Sequence, residues 1–420
     1  MSGTRRVIST RRRSSAMLAL LLLLLLLSTA SARAHLPELF GREYVPAPAG
    51  EPPQAAAPAP RRDDDLARLE ALLRRFERRD GPYGAALGDP LVQLAALQRR
   101  RGNPVAALRS YERALHVLRV NNGLLHRAQL PLLRALAEVY VDIGDLRSSQ
   151  LTWRYALRVH GLGEVALYGE ALEDALAYFQ AVRDAYIHPA AAPDTGLLLD
   201  AFDDNQRLLE AQLDDPRDDP AALEAVVRSQ LRNLYVLLGS DPSGGQLEGD
   251  PRAELLLRHQ VLGLGRGLDL LDLLLERLAP EPGPERARLL LERGNWKQWN
   301  GRWRSARRDY AAAFAASGDD ARSLALRERL ARPAELPEDP QLWRSLQQPG
   351  IGRRAQLRAS YRVSARGEAS RIRATVEGDG SSAWAGRLRR MLADSHFRPA
   401  LEAGEPVDAD SGVRRYLLLD

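Results

Sequence analysis

Four landmarks return at one offset: Leu94, Gly102, Tyr111 and Ala114 come back 42 positions later as Leu136, Gly144, Trp153 and Ala156. A unit of this length is a piece of supersecondary structure that cannot bury its apolar face alone, so its copies must stack. Local chemistry says which piece. Asn103-Pro104 directly after Gly102, and Asp145 directly after Gly144, carry the N-cap and first-turn residues of a new helix, so each glycine marks a turn between two antiparallel helices. Ala107, Ala114 and Ala156 let backbones approach, while Tyr111 and Trp153 fill the space beside them. The pattern extends well beyond these two units. From Asp63-Asp64-Asp65, which can cap a helix carrying Leu66, Leu69, Leu72, Leu73 and Phe76 on one face, to about Ala331, nearly every segment keeps the 3.6-residue period. No alternating stretch interrupts it, so the region is all-helical.

These units resemble the tetratricopeptide repeat (TPR) family. Leu94, Gly102, Ala107, Tyr111 and Ala114 carry the resemblance in the first unit, and Leu136, Tyr140, Gly144, Trp153 and Ala156 in the second. Gly294, Gly301, Ala306, Tyr310 and Ala313 carry it in a third. The family repeat is about 34 residues, so the wider spacing implies longer helices or a longer connection. Ser149 stands at a small-residue position of the second unit and Arg293 at an apolar position of the third, while residues 165–280 match poorly, which leaves the register of their hairpins open. The resemblance implies a helical-repeat solenoid over residues 63–332.

The period changes after Pro333, Pro337 and Pro340. Ala355, Leu357, Ala359, Tyr361 and Val363 alternate with polar residues, as a strand buried on one face requires, and Ile372, Ala374 and Val376 repeat the alternation after a turn at Ala365-Arg366-Gly367-Glu368. Trp384, Leu388, Met391 and Leu392 then share one helical face, and a last apolar run spans Val413 to Leu419. The order is β-β-α-β, a small α+β unit. With Phe397-Arg398-Pro399-Ala400 and Gly404-Glu405-Pro406-Val407, residues 341–420 resemble the C-terminal domain of the TonB energy-transducer family. The resemblance implies a periplasmic domain that binds partner proteins, partly by strand addition at a sheet edge. The expected fold class is therefore mainly α: an α-α hairpin (TPR-like) solenoid followed by a small TonB-like α+β domain.

The beginning of the chain reads as an address. A basic stretch to Arg13, an apolar run from Ala16 to Leu27 and the sites Ala30-Ser31-Ala32 and Ala32-Arg33-Ala34 make residues 1–34 a secretory signal peptide. The run is too short for a full bilayer span, although an uncleaved inner-membrane anchor is the alternative. Residues 35–62, rich in proline and alanine, read as an extended, solvated linker. The net charge of +5 includes six arginines and no acid within the first 34 residues, so the remainder is at about −1 and nothing in its balance calls for nucleic acid. Arginine replaces lysine almost everywhere, Lys297 being the one lysine, as in GC-rich bacteria, and the expected location is the periplasm of a Gram-negative cell.

Catalytic signatures are missing from the sequence. With no cysteine there are no disulfides, thiolate metal sites or cysteine nucleophiles. The seven histidines show no metal-ligand spacing, and neither a G-x-S-x-G elbow nor a phosphate loop is present. Gly263-x-Gly265-x-Gly267 lies inside a helical pattern and reads as close helix packing, and DDPRDDP over 214–220 reads as a capped loop. The expectation is a non-enzymatic scaffold without cofactor or metal, whose partners are other envelope proteins or peptides. Its candidate protein-binding residues are Trp303 and Arg304, in a tryptophan and arginine run, and Val413, Arg415 and Leu417, on the terminal strand. The same Trp303 and Arg304 would serve an alternative reading, binding of peptidoglycan or lipopolysaccharide. An enzyme using scattered carboxylates is a third reading.

Overall fold

The computed structural model describes residues 44–46, 64–187, 194–240, 251–318, 320–343, 353–378 and 380–419. The signal peptide expected over 1–34 lies outside them, as does most of the expected linker.

Twelve helices build the first part: α1 (Asp64–Asp80), α2 (Gly88–Arg100), α3 (Pro104–Asn122), α4 (Leu130–Asp142), α5 (Leu146–His160), α6 (Glu170–Ile187), α7 (Thr195–Asp214), α8 (Pro220–Gly239), α9 (Pro251–Leu278), α10 (Pro284–Trp299), α11 (Trp303–Ala316) and α12 (Ala321–Leu330). From α1 to α11 consecutive helices pack on each other, while α12 rests on α10. The pairs α2/α3, α4/α5 and α10/α11 are the three units legible in the sequence. Their turn residues Gly102, Gly144 and Gly301 sit at φ of +75°, +79° and +72°, a conformation that glycine adopts without strain. Asn103 and Asp145 accept hydrogen bonds from the backbone N–H of Ala106 and Ser148, completing two N-caps. Between these units lie two further hairpins, α6/α7 and α8/α9, so the region of open register continues the same stack.

Small residues set the spacing of the later helices. A Cβ on Gly294 would lie 2.5 Å from the Tyr310 ring, one on Gly263 would lie 2.6 Å from Leu238, and one on Gly267 would overlap the Trp296 indole. The glycine triplet thus serves helix packing. Ser149 is buried at its small-residue position, and Arg293 turns from the apolar role to pair with Asp272 and Asp309.

The second part contains β2 (Ala334–Glu335), a short α13 (Pro340–Trp343), β3 (Arg353–Val363), β4 (Ala369–Glu377), α14 (Ser382–Asp394), β5 (Phe397–Arg398), β6 (Ala400–Glu402), β7 (Glu405–Val407), β8 (Ala409–Asp410) and β9 (Arg414–Leu419). β3, β4, α14 and β9 realise the β-β-α-β order, with Leu357, Ala359, Tyr361 and Val363 buried on one face as the alternation requires. The main sheet runs β1-β9-β3-β4, with β8 pairing on β3. Its first strand, β1, is Tyr44–Pro46, paired antiparallel to β9 with Tyr44 opposite Leu418. This corrects the solvated-linker expectation: within 35–62, the segment around Val45 is a strand because β9 offers it a ladder and Tyr44 a buried site.

The apolar interior falls into two clusters. One gathers Leu73 through Val159 from α1 to α5. The other begins at Leu157 and continues through α6 to α11 into the sheet and α14, so the α+β unit shares a core with the later helices. Arg398 reinforces that junction. Buried in β5, it donates to the carbonyls of Arg329, Leu330 and Arg332 at the end of α12, where a cation complements the helix dipole.

Candidate partner-binding trough

The residues singled out in the sequence perform two structural tasks. Trp296 and Trp299 are fully buried, each packed edge-on to Tyr235, so only Trp303 of the tryptophan run reaches the surface. There it is half-buried, with the guanidinium of Arg304 4.6 Å and that of Arg366 5.4 Å from its ring centre. Arg366 belongs to the β3–β4 turn, so this cluster joins α11 to the α+β unit. On the terminal strand, Leu417 is buried opposite Val45, Arg415 is exposed opposite Arg358, and Val413 is 69% exposed just before the strand begins. The edge of β9 expected to receive a partner strand is filled by the chain's own β1.

A different place has the form of a binding site. Between α3 and α5 runs a trough of about 450 Å³ whose floor is α4. Leu115 from α3, Leu133 and Leu136 from α4 and Leu151 from α5 give it an apolar bed. The first three belong to the core, whereas Leu151 is 46% exposed. Helical period explains the lining: Glu112, Leu115, His116 and Arg119 fall on one face of α3, as Ser148, Leu151, Thr152 and Tyr155 do on α5.

Polar groups hold the two ends of the trough differently. At one end Tyr140 donates its hydroxyl proton to Glu112 at 3.0 Å, and burial together with this carboxylate pushes the phenol up to about 12, so it stays a donor. At the other end two guanidinium groups approach the ring of Tyr155, Arg119 at 4.6 Å and Arg158 at 5.2 Å from its centre. Its hydroxyl donates to the carbonyl of Leu124, which also accepts from Gln129. These bonds pin the α3–α4 connection so that Leu124 and Leu125 stand outward, 67% and 64% exposed, with Val120 exposed beside them. An apolar bed flanked by polar side chains from α3 and α5, with exposed leucines nearby, is what recognition of an amphipathic polypeptide segment needs. No single stretch of sequence announced this trough, because three helices contribute to it. The exposed run Leu124-Leu125 was the local signal.

The rest of the stack is knit by arginines that each span carboxylates one helical turn apart. Arg99 of α2 meets Glu138 and Asp142 of α4; Arg134 of α4 meets Glu170 and Asp174 of α6; Arg154 of α5 meets Asp200 and Asp204 of α7. A second cleft of about 210 Å³, between α8, α10 and the 338–340 strap, is filled with the same chemistry: Arg228 on Glu292, Arg232 on Asp339 and Arg329 on Glu338. Its charges pair with one another, which marks it as a structural junction. His259 accepts a hydrogen bond from Arg266 at 2.6 Å, and burial with the neighbouring arginines pushes it down to about 4, so it is neutral at pH 7. Among the described residues no group of histidine, aspartate and glutamate has the arrangement of a metal site, and no helix is long and apolar enough to cross a membrane.

No family model matches the chain, and no curated protein matches it. Among solved structures it is similar to the nearly identical TPR-like repeats named for a Podosopora anserina kinesin light chain, at 13% identity and a TM-score of 0.33, over 54% of this chain and 92% of that one. A single-substitution variant of the same repeats matches at 14% identity, with the same score and coverage.

Proposed function

We propose that this protein is a non-enzymatic interaction scaffold whose helical hairpins hold a segment of a partner protein in the trough between α3 and α5. One observation carries the reading: exposed Leu151 lines a 450 Å³ trough floored by Leu133 and Leu136, and exposed Leu124 and Leu125 lie on the connection bonded to its Tyr155, so an apolar segment can be seated without rearranging the core. The TPR-like units recognised in the sequence fit this role, since stacked hairpins offer long surfaces without positioning a nucleophile. The signal-like N-terminus supports the proposal that partners are met in the periplasm. Envelope-polymer binding through Trp303 and Arg304 is the weaker alternative, because that tryptophan is already engaged with Arg366.

A random peptide library displayed on phage and selected on the immobilised protein tests the proposal. Enriched peptides should bind the free protein and lose binding by about tenfold or more on Leu151→Glu, a substitution at an exposed position that should leave the far-ultraviolet circular dichroism unchanged. Enrichment of no sequence, or binding indifferent to Leu151→Glu and to Leu124→Ser, would overturn it.

A further inference from the structure

Charge at the trough is not balanced as it is elsewhere in the stack. Arg99, Arg113, Arg134, Arg147 and Arg154, all in α2 to α5, each meet a carboxylate. Arg119 and Arg158 do not: among the described residues Arg119 makes a side-chain hydrogen bond to the amide of Gln129, and both guanidinium groups rest on the Tyr155 ring. Arg109 and His116 share the α3 face with Arg119, and Arg109 likewise has no carboxylate partner among the described residues. His116 packs edge-on against Tyr83. The single acid in the lining, Glu112, is engaged by Tyr140 at the opposite end. An apolar bed is therefore bordered at one end by Arg119 in its lining and Arg158 beside Tyr155, neither with a carboxylate partner among the described residues.

Building on the trough reading, we infer that the occupant is an acidic amphipathic segment, with leucine-type side chains on the bed and a carboxylate answering Arg119 and Arg158. Contact with the Tyr155 ring restrains both guanidinium groups before binding, so less side-chain freedom is lost when a carboxylate accepts from them. The distance along α3 from Glu112 to Arg119 is about 10 Å, roughly two turns of a bound helix, which places the partner's carboxylate about two turns from its end near Tyr140. Glu112 adds polarity: an acid on the partner at that end would be repelled, so the segment enters in one direction.

Three fluorescent peptides of identical length and leucine pattern, with glutamate, glutamine or lysine on the polar face, separate the possibilities. Fluorescence anisotropy with the full chain should show the glutamate peptide binding about tenfold tighter than its glutamine isostere at low salt, a preference that shrinks as salt screens the charges, with the lysine peptide weakest. The double substitution Arg119→Glu with Arg158→Glu should invert the order, and Arg119→Gln with Arg158→Gln should flatten it while thermal melting confirms the fold. Equal binding of all three peptides, abolished by Leu151→Glu, would overturn the charge inference and leave the trough reading standing. Binding of none would overturn both.

Discussion

The hydroxyl of Tyr44 donates a hydrogen bond to the carbonyl oxygen of Trp384, 2.8 Å away across 340 positions of sequence. Tyr44 is 3% exposed, and its strand covers the outer edge of β9. Truncation by Tyr44→Ala should remove about 3 kcal/mol of the attachment of β1, whereas Tyr44→Phe, which deletes the hydrogen bond alone, should cost about 1 kcal/mol. Hydrogen exchange read by mass spectrometry should then show faster exchange of the β9 amides that face β1, with β3–β4 protection unchanged. Equal protection of β9 in Tyr44→Ala and the parent would mean that β1 does not hold the edge.

Within α9, two glycines two residues apart should respond in opposite ways. A methyl group on Gly267 would overlap Trp296, which is itself packed between Tyr235 and Trp299, so Gly267→Ala should destabilise by about 3 kcal/mol. Nothing lies within 4 Å of a Cβ on Gly265, so Gly265→Ala should stabilise by up to about 1 kcal/mol through helix propensity. Urea denaturation of both variants checks the pair. Similar midpoints would show that close approach of α9 to α10 is not what the triplet serves.

The contrast between these glycines and the trough shows what the sequence could carry. Gly102, Gly144, Asn103 and Asp145 were readable because turn conformation and capping are local: each is decided by its neighbours within four residues. The α6 to α8 region resisted because polar side chains interrupt its apolar faces. Asp174, Arg183, Asp204, Asn205, Ser229, Gln230 and Asn233 are all buried there, and Arg183 is held by Ser229, Asn233 and Gln180, with no carboxylate bonded to it among the described residues. Burial pushes that guanidinium down to about 9, a strong perturbation that no hydropathy pattern registers. β1 was invisible for another reason: its three residues gain their structure from β9, far along the chain. The trough needed α3, α4 and α5 placed side by side before its lining existed.

Glu335 links the strap after α12 to the sheet and should make stability depend on pH. Its Oε2 accepts from the Tyr416 hydroxyl at 3.1 Å, Tyr416 in turn lies 3.2 Å from the Tyr361 hydroxyl, and Oε1 is inaccessible without a hydrogen-bond partner. Burial pushes this carboxyl up to about 7, outweighing the Tyr416 bond and the positive charge of Arg414. A raised carboxyl favours the protonated folded form, so its contribution is intact below the unfolded value near 4.5 and is lost as pH rises through about 7. Glu335→Gln, which keeps an acceptor for Tyr416 and cannot ionise, should gain on the parent by up to about 3 kcal/mol between pH 5 and 8. Paired thermal melts across that range provide the measurement, and a pH-independent gap would show that Glu335 does not titrate in the folded protein.

The two apolar clusters meet in α5, and one buried charge group fastens that meeting point. Ala156 and Val159 of α5 face the first cluster while Leu157 faces the second, so a single helix serves both. At its end His160 lies 2.7 Å from Oδ2 of Asp174 in α6, and Arg134 of α4 grips the same carboxylate through Nε at 2.6 Å and Nη2 at 2.9 Å. Burial alone would raise the Asp174 carboxyl, but the hydrogen bonds from His160 and Arg134 outweigh it and hold the group below its ordinary range. The stability it supplies is therefore present above the usual aspartate pKa and is lost as pH falls below it. Asp174→Ala would leave a buried histidine and a guanidinium without their shared acceptor, a loss of about 3 kcal/mol at pH 7. Because the damage falls where α5, a helix common to both clusters, meets α6, calorimetry should show two transitions, the earlier belonging to α1 to α4, where the parent should show one. One cooperative transition, merely shifted to lower temperature, would assign Asp174 to stability alone and remove its role in coupling the clusters.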